Sequence, residues 1–362
     1  MLHEDNYFGG FMKSFLFVLI LLVLPIMAFA QDEFFEPQSS IGGYGEMHYN
    51  VNQTSNSQVL DFHRFVLFYG YEWTPEWSFI AEVEIEHNFV KSGQGELELE
   101  QATIDFHPSS VFGVRAGVLL APVGIINLTH EPPTFLSVER PEYSKVIVPT
   151  TWFGNGASVY GAVNNFQYNF TLMEGLDGDE LSASSGLRGG RQKGYKADAH
   201  HWMGAARVDY TGISGVAVGL SYTTNQANRT DGPAIGIGLV ELHAQVDKHN
   251  IVGVFEYGQV SYENYNIESS TGYYFDIGYN VGALFGCDTK IIPWFRWSDL
   301  NTASTTISGG NSESMYHNQK WMVGLTVKPI DQVVFKIDFG QNTAQLDNSE
   351  TKLLNIGAGY MF

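Results

Sequence analysis

The sequence predicts an all-β protein, a transmembrane antiparallel β-barrel of about 16 strands with short periplasmic turns and long extracellular loops. Three observations carry that expectation. The last nine residues place Leu354, Ile356, Ala358, Tyr360 and Phe362 on one parity and Asn355, Gly357, Gly359 and Met361 on the other. This period-two pattern suits a closing strand that shows lipid an apolar face. Short and long connectors alternate along the chain, as they do when one barrel end faces the periplasm. Beyond residue 30 no apolar run reaches the roughly 20 residues of a spanning helix, so insertion must use strands.

The amino-terminal segment reads as a secretory signal. Lys13 precedes an apolar run from Phe15 to Met27, followed by Ala28, Phe29 and Ala30. Pro25 interrupts the run, which argues against a membrane anchor. His3, Glu4 and Asp5 are unusual in such a leader and point to translation from Met12. The expected domains are therefore a removed signal peptide, 1–30, and one outer-membrane barrel, 31–362. The expected location is the bacterial outer membrane.

The net charge of the whole chain is -20. Removing residues 1–30, which hold Lys13 against Glu4 and Asp5, leaves -19. This excludes nucleic acid as a natural partner, because phosphate neutralisation needs an excess of Lys and Arg. Acidic loops favour solubility and can also meet outer-membrane lipid through divalent cations. The single Cys287 excludes an internal disulfide.

The expected short connectors are residues 73–76, 107–111, 163–165, 211–215, 247–250, 286–289 and 328–332. The expected long ones are 50–58, 88–95, 121–155, 175–200, 225–234, 259–271, 299–316 and 341–351. Long connectors come first and last, so both termini fall on the short-turn side. Trp77, Phe79, Ala81, Val83 and Ile85 form one face of a strand, with Ser78, Glu82, Glu84 and Glu86 opposite. A carboxylate in hydrocarbon is costly, so parity sends these glutamates to the lumen. Phe166, Tyr168, Phe170 and Leu172 form another lipid row, as do Trp321, Val323, Leu325 and Val327, and Phe335, Ile337 and Phe339. Tyr69, Tyr71, Trp73 and Trp77 cluster at one turn like an interfacial girdle.

Two segments resist this pattern. Glu96, Glu98 and Glu100 share parity with Ala102, Ile104 and Phe106. Either that end stands above the membrane, or a bulge near Gln101 flips the register. The strand around Arg64 is nearly apolar on both faces, and its inside is left open.

Residues 115–161 read RAGVLLAPVGIINLTHEPPTFLSVERPEYSKVIVPTTWFGNGASVYG, and residues 186–194 read GLRGGRQKG. Both stretches resemble the phosphate-selective porin family of the O/P type, and the likeness extends patchily across the mature chain. The resemblance implies a homotrimer of sixteen-stranded barrels, each with its third outside loop folded into the pore. It also makes Tyr360 and Phe362 a terminal signal for the barrel-assembly machinery. The third long connector, 121–155, is also the longest and is stiffened by Pro132, Pro133, Pro141 and Pro149. A loop of that length and composition is expected to pack onto the barrel wall.

Lumen positions lean acidic: Glu82, Glu84, Glu86, Asp105, Asp209, Glu241, Glu256, Asp276 and Asp338 face Arg115, Arg207, Arg296 and Lys336. The expected constriction and pore lining are Arg115, Glu131, Glu139, Arg140, Lys145, Glu82, Glu84, Arg207, Arg296 and Lys336. Arg188, Arg191 and Lys193 would form a basic patch at the mouth. Charge at the narrowest ring sets selectivity, so ion preference is left open, with a lean towards weak or cationic.

The expected function is a porin for passive diffusion of small polar or ionic solutes. The alternatives are selective uptake of phosphate or another oxyanion, and a plugged structural or adhesive barrel. An enzyme is not expected. His48, His63, His87, His200, His201, His243 and His317 are scattered without a nucleophile motif. No catalytic, cofactor or metal residues are assigned, and His200-His201 reads as a loop-end feature.

Overall fold

A computed structural model describes residues 35–91, 94–309 and 311–362. The expected signal segment, 1–30, and the start at Met12 lie outside the described residues. Sixteen antiparallel strands close into a barrel in which each strand pairs with its sequence neighbours. They are β1 (Gln38–Asn52), β2 (Ser57–Glu72), β3 (Trp77–Lys91), β4 (Gln94–Ser109), β5 (Phe112–Leu120), β6 (Phe153–Val163), β7 (Phe166–Glu174) and β8 (Trp202–Ile213). The second half comprises β9 (Val216–Ala227), β10 (Ile235–Lys248), β11 (Ile251–Glu263), β12 (Ile267–Tyr279), β13 (Lys290–Thr306), β14 (His317–Ile330), β15 (Val333–Ala344) and β16 (Glu350–Met361).

The terminal strand closes the sheet as its alternation predicts. Tyr44 sits opposite Met361 and Asn52 opposite Leu353. Gly43 and Phe362 exchange both backbone hydrogen bonds, at 3.0 and 2.9 Å. Closure removes the open edges that lipid cannot solvate. Outside, Val83, Phe170, Leu172, Val323, Phe335 and Ile337 are exposed as a lipid face requires. Trp77 packs on Phe106 with ring centroids 4.6 Å apart at the turn end.

The connector lengths need correction. Strands run well past the 9–11 residues that cross a bilayer, up to 17 in β13. The ladder therefore continues through much of the expected outside loops, and residues 53–56, 264–266 and 345–349 are tight turns. Conversely, the turn after β12 spans 280–289 and carries a 3₁₀ segment, Val281–Phe285. The two long connectors at 121–152 and 175–201 persist.

Both ambiguous strands are resolved by bulges. Glu82 pairs with Gln101 and Val83 with Leu99, leaving Glu100 as the extra residue. The register flips there, so Glu100 is fully buried on the inside while Leu97 and Leu99 are exposed outside. In β2, Arg64 pairs with Glu46 and Phe62 with Met47, leaving His63 unpaired. Arg64 and Val66 consequently face inward and Leu67 and Tyr69 outward.

Candidate functional site

The lumen is not an empty bore. Residues 121–152 and 175–201 both pack on inward-facing wall residues. Asn127 closes the base of the first loop: its amide donates to Ala121 O at 2.8 Å and its oxygen accepts from Trp152 N at 2.8 Å. Tyr143, Ile147, Val148 and Trp152 of that loop meet Leu176, Leu181 and Leu187 of the second, against Leu239, Val260 and Tyr274 of the wall. Burying each such side chain contributes about 1.5–3 kcal/mol. Gly186 lets the loops touch, since its φ is +56° and a Cβ there would lie 1.9 Å from Val146 O.

Charged wall residues hold the first loop through its backbone. Glu256 accepts from Ile125 N at 2.7 Å while Tyr274 donates to it at 2.6 Å. Asp338 accepts from Val138 N at 2.7 Å and from Asn355 at 2.7 Å. Arg296 binds Asp276 through two 2.6 Å bonds and donates to Ser137 Oγ at 2.8 Å. Lys336 donates to Ser137 O at 2.7 Å, Thr326 to Leu136 O at 2.6 Å, and Arg207 to Gly124 O. Bonds to charged groups are worth about 1.5–3 kcal/mol each. Together they fix a proline-rich strap whose own backbone groups would otherwise lie unpaired.

The first loop also presents His130 to two buried glutamates, 3.7 Å from Glu82 and 3.4 Å from Glu100. Burial and the neighbouring Arg140 both oppose its charge. The two carboxylates outweigh them and hold it at about 9. Glu139 accepts from Asn50 at 2.8 Å and lies 2.9 Å from His48 Nδ1.

Several lining expectations are therefore corrected. Glu82, Glu84, Arg296 and Lys336 all turn inward but are at most 5% exposed. Glu82, Arg296 and Lys336 bind the loop, and Glu84 binds Arg64 at 3.2 Å, so they anchor rather than line open water. Arg207 is also largely covered, held by Asp209 at 2.6 Å. Arg115 is more open but paired with Asp105 at 2.8 Å. Glu131 precedes the 3₁₀ turn Pro132–Thr134, and Lys145 is exposed on the helical turn Tyr143–Val146.

The basic stretch of the second loop divides. Lys193 binds Glu96 at 2.7 Å and also Glu98. Arg191 donates to Thr150 O and Thr151 O at 2.7 Å each, and Arg188 to Thr150 O at 3.3 Å. Arg140 reaches His130 O at 3.2 Å. Among the described residues these three guanidiniums bind carbonyl oxygens and form no ion pair with a carboxylate. Burial, then repulsion from Arg188, draws Arg191 down to about 10.

Sequence reasoning did not single out Ser137, Thr326 or His130 as site residues. Their signal was indirect: an inward loop needs donors and acceptors on the wall opposite its backbone. His200 and His201 sit at the end of the second loop, with His200 bonded to Asp198.

The family model for phosphate-selective porin O and P matches residues 36–240. An uncharacterized protein of Aquifex aeolicus (strain VF5) is 32% identical over 349 residues, covering 89% of this chain and 80% of that protein. Among solved structures, Salmonella typhi OmpF in complex with daunomycin is similar with a TM-score of 0.63 at 11% identity, covering 90% of this chain and 97% of that one. An anion-selective porin from Comamonas acidovorans gives 0.58 at 11% identity, over 90% and 100%. The trimer form of OmpT, an outer membrane protein of Vibrio cholerae, gives 0.58 at 11%, over 91% and 100%.

Proposed function

The chain belongs to the phosphate-selective porin O and P family, and on that premise we propose that its outer-membrane channel prefers anions where the two inward loops meet. The channel itself follows from the family and from a closed sixteen-strand barrel with a polar interior. The preference rests on one observation. The acidic wall residues Glu256, Asp276 and Asp338 are bound to the loop or to Arg296, whereas Arg140, Arg188 and Arg191 bind carbonyl oxygens and one hydroxyl and, among the described residues, form no ion pair with a carboxylate. A buried guanidinium beside another is relieved by an arriving anion. This departs from the weak or cationic lean of the lumen inventory, because burial removes most of that inventory from the water path. Passage of small polar solutes remains the broader reading, with an oxyanion such as phosphate the favoured cargo.

Reversal potentials under a salt gradient test the preference. Wild type is expected to favour chloride over potassium, and Arg140→Gln with Arg188→Gln and Arg191→Gln to move the potential towards cations. An unchanged potential would place selectivity elsewhere.

A homotrimer fits the trimer form of the Vibrio cholerae relative and an apolar recess on the outer face bounded by Met47, Leu60, Leu325, Phe335 and Ile356. Conductance steps arriving in threes would support it. Recognition of the carboxy-terminus by the assembly machinery predicts a further effect. Deleting Phe362, whose ring lies 6.5 Å from Phe65 and whose backbone closes β1, should cut the amount of heat-modifiable barrel in membranes several-fold. Unchanged yield would assign closure to the remaining ladder. A catalytic role finds no support in the family, and absence of lipid hydrolysis by the refolded protein is expected.

A further inference from the structure

Residues that look scattered in the sequence converge on the lumen side of β1–β3. His63 Nδ1 lies 3.1 Å and His87 Nδ1 2.7 Å from one oxygen of Asp61. The donor atoms of Asp61, His63 and His87 all fall within 4.8 Å of one another, and so do those of His48, His63 and Glu139. We propose that this cluster binds one divalent transition-metal ion, with His63, His87 and Asp61 as ligands.

The backbone is shaped to bring these groups together. His63 is the residue skipped by the β1–β2 ladder, so it can share the inner face with its neighbour Arg64. In β3, ladder pairing with β2 stops at Glu86, and His87 follows with a φ of +57°. That conformation is uncommon for a histidine. Two irregularities on adjacent strands thus aim two imidazoles at one carboxylate, and such local strain persists where the surrounding structure enforces it.

The donor chemistry suits an ion of the zinc type. Nitrogen and oxygen donors about 2.0–2.2 Å from a tetrahedral zinc stand about 3.4 Å from each other, so small side-chain rotations convert the hydrogen-bonded cluster into a coordination sphere. Without metal, one carboxylate oxygen accepts from two ring nitrogens, each of which must carry a proton. A cation takes the place of both Nδ1 protons while each ring keeps a proton on Nε2, which leaves two neutral imidazoles and a carboxylate, a set that favours zinc, nickel or copper over magnesium. The site is reachable, because His87 is half exposed and opens on a recess also lined by Glu86 and Glu96. The opposing charge, Arg64, is already bound to Glu46 at 2.7 Å and Glu84 at 3.2 Å. His48 stacks on His63 with centroids 4.9 Å apart and uses its nitrogens on Glu46 and Glu139. It positions His63 and links the site to the inward loop.

Calorimetric titration of the refolded, chelator-treated mature barrel with zinc chloride alone tests this. One ion per chain at micromolar affinity is expected. His63→Gln and His87→Asn should each weaken binding by roughly tenfold or more, with His200→Gln and His201→Gln unchanged and excess magnesium without effect. His87→Asn keeps a residue tolerant of positive φ at an exposed position, so it should fold even if His63→Gln does not. No saturable binding below millimolar zinc, or full affinity in His87→Asn, would overturn the proposal. The readout needs no current, so failure of the proposed anion preference would leave it interpretable.

Discussion

Excising residues 131–146, the tip of the first inward loop, should raise single-channel conductance several-fold and admit larger sugars in a liposome swelling assay. The loop occupies the lumen through an apolar cluster with the second loop and the wall, and its removal enlarges the water-filled section. It also uncovers Asp276 and Asp338, both nearly inaccessible in the intact protein. The enlarged pore should therefore shift towards cations, because charge at the narrowest ring sets preference. Folding should survive, since all sixteen strands pair with their neighbours independently of the loop. Unaltered conductance would mean that ions take a route the loop does not narrow.

Arg296→Met should be the most damaging single substitution in the wall. Arg296 is 2% exposed, directly opposite Asp276 across β12 and β13, and its guanidinium also holds Ser137. Truncation leaves a buried carboxylate without a partner, which costs about 3–5 kcal/mol. Urea unfolding of the refolded barrel should report a loss of that order. Adding Asp276→Leu should restore much of it, because removing both charges also removes their desolvation cost. The double variant should still show noisier current than wild type, since Ser137 has lost its bond to Arg296 and keeps only that to Lys336. A single variant as stable as wild type would mean that water reaches Asp276.

Much of the barrel was legible because lipid imposes a strict parity on each strand. Rows such as Phe166 to Leu172 and Phe335 to Phe339 left few alternatives, and alternating connectors gave the strand number. The clash of Glu96, Glu98 and Glu100 with Ile104 left two readings open, and the structure takes the second, with the bulge at Glu100 beside the expected Gln101. Connector lengths were less legible, because polar residues above the bilayer extend a ladder as readily as they form a loop.

The site was read only in part. Parity identified which side chains point inward, but not that Glu82, Arg296 and Lys336 would be covered by the loop they bind. The inward course of residues 175–201 was also hidden. Its apolar anchors, Leu176, Leu181 and Leu187, are thinly spread among Gly and Ser and form no periodic pattern. The histidine cluster was concealed because a bulge and a left-handed residue break the simple relation between position and face.

Planar-bilayer recording of purified residues 31–362, refolded in detergent, tests the central claim most directly. A closed barrel narrowed but not sealed by its inward loops predicts discrete, stepwise ion conductance that grows when residues 131–146 are absent. A heat-modifiable, fully folded barrel that inserts into the bilayer and carries no current would contradict it.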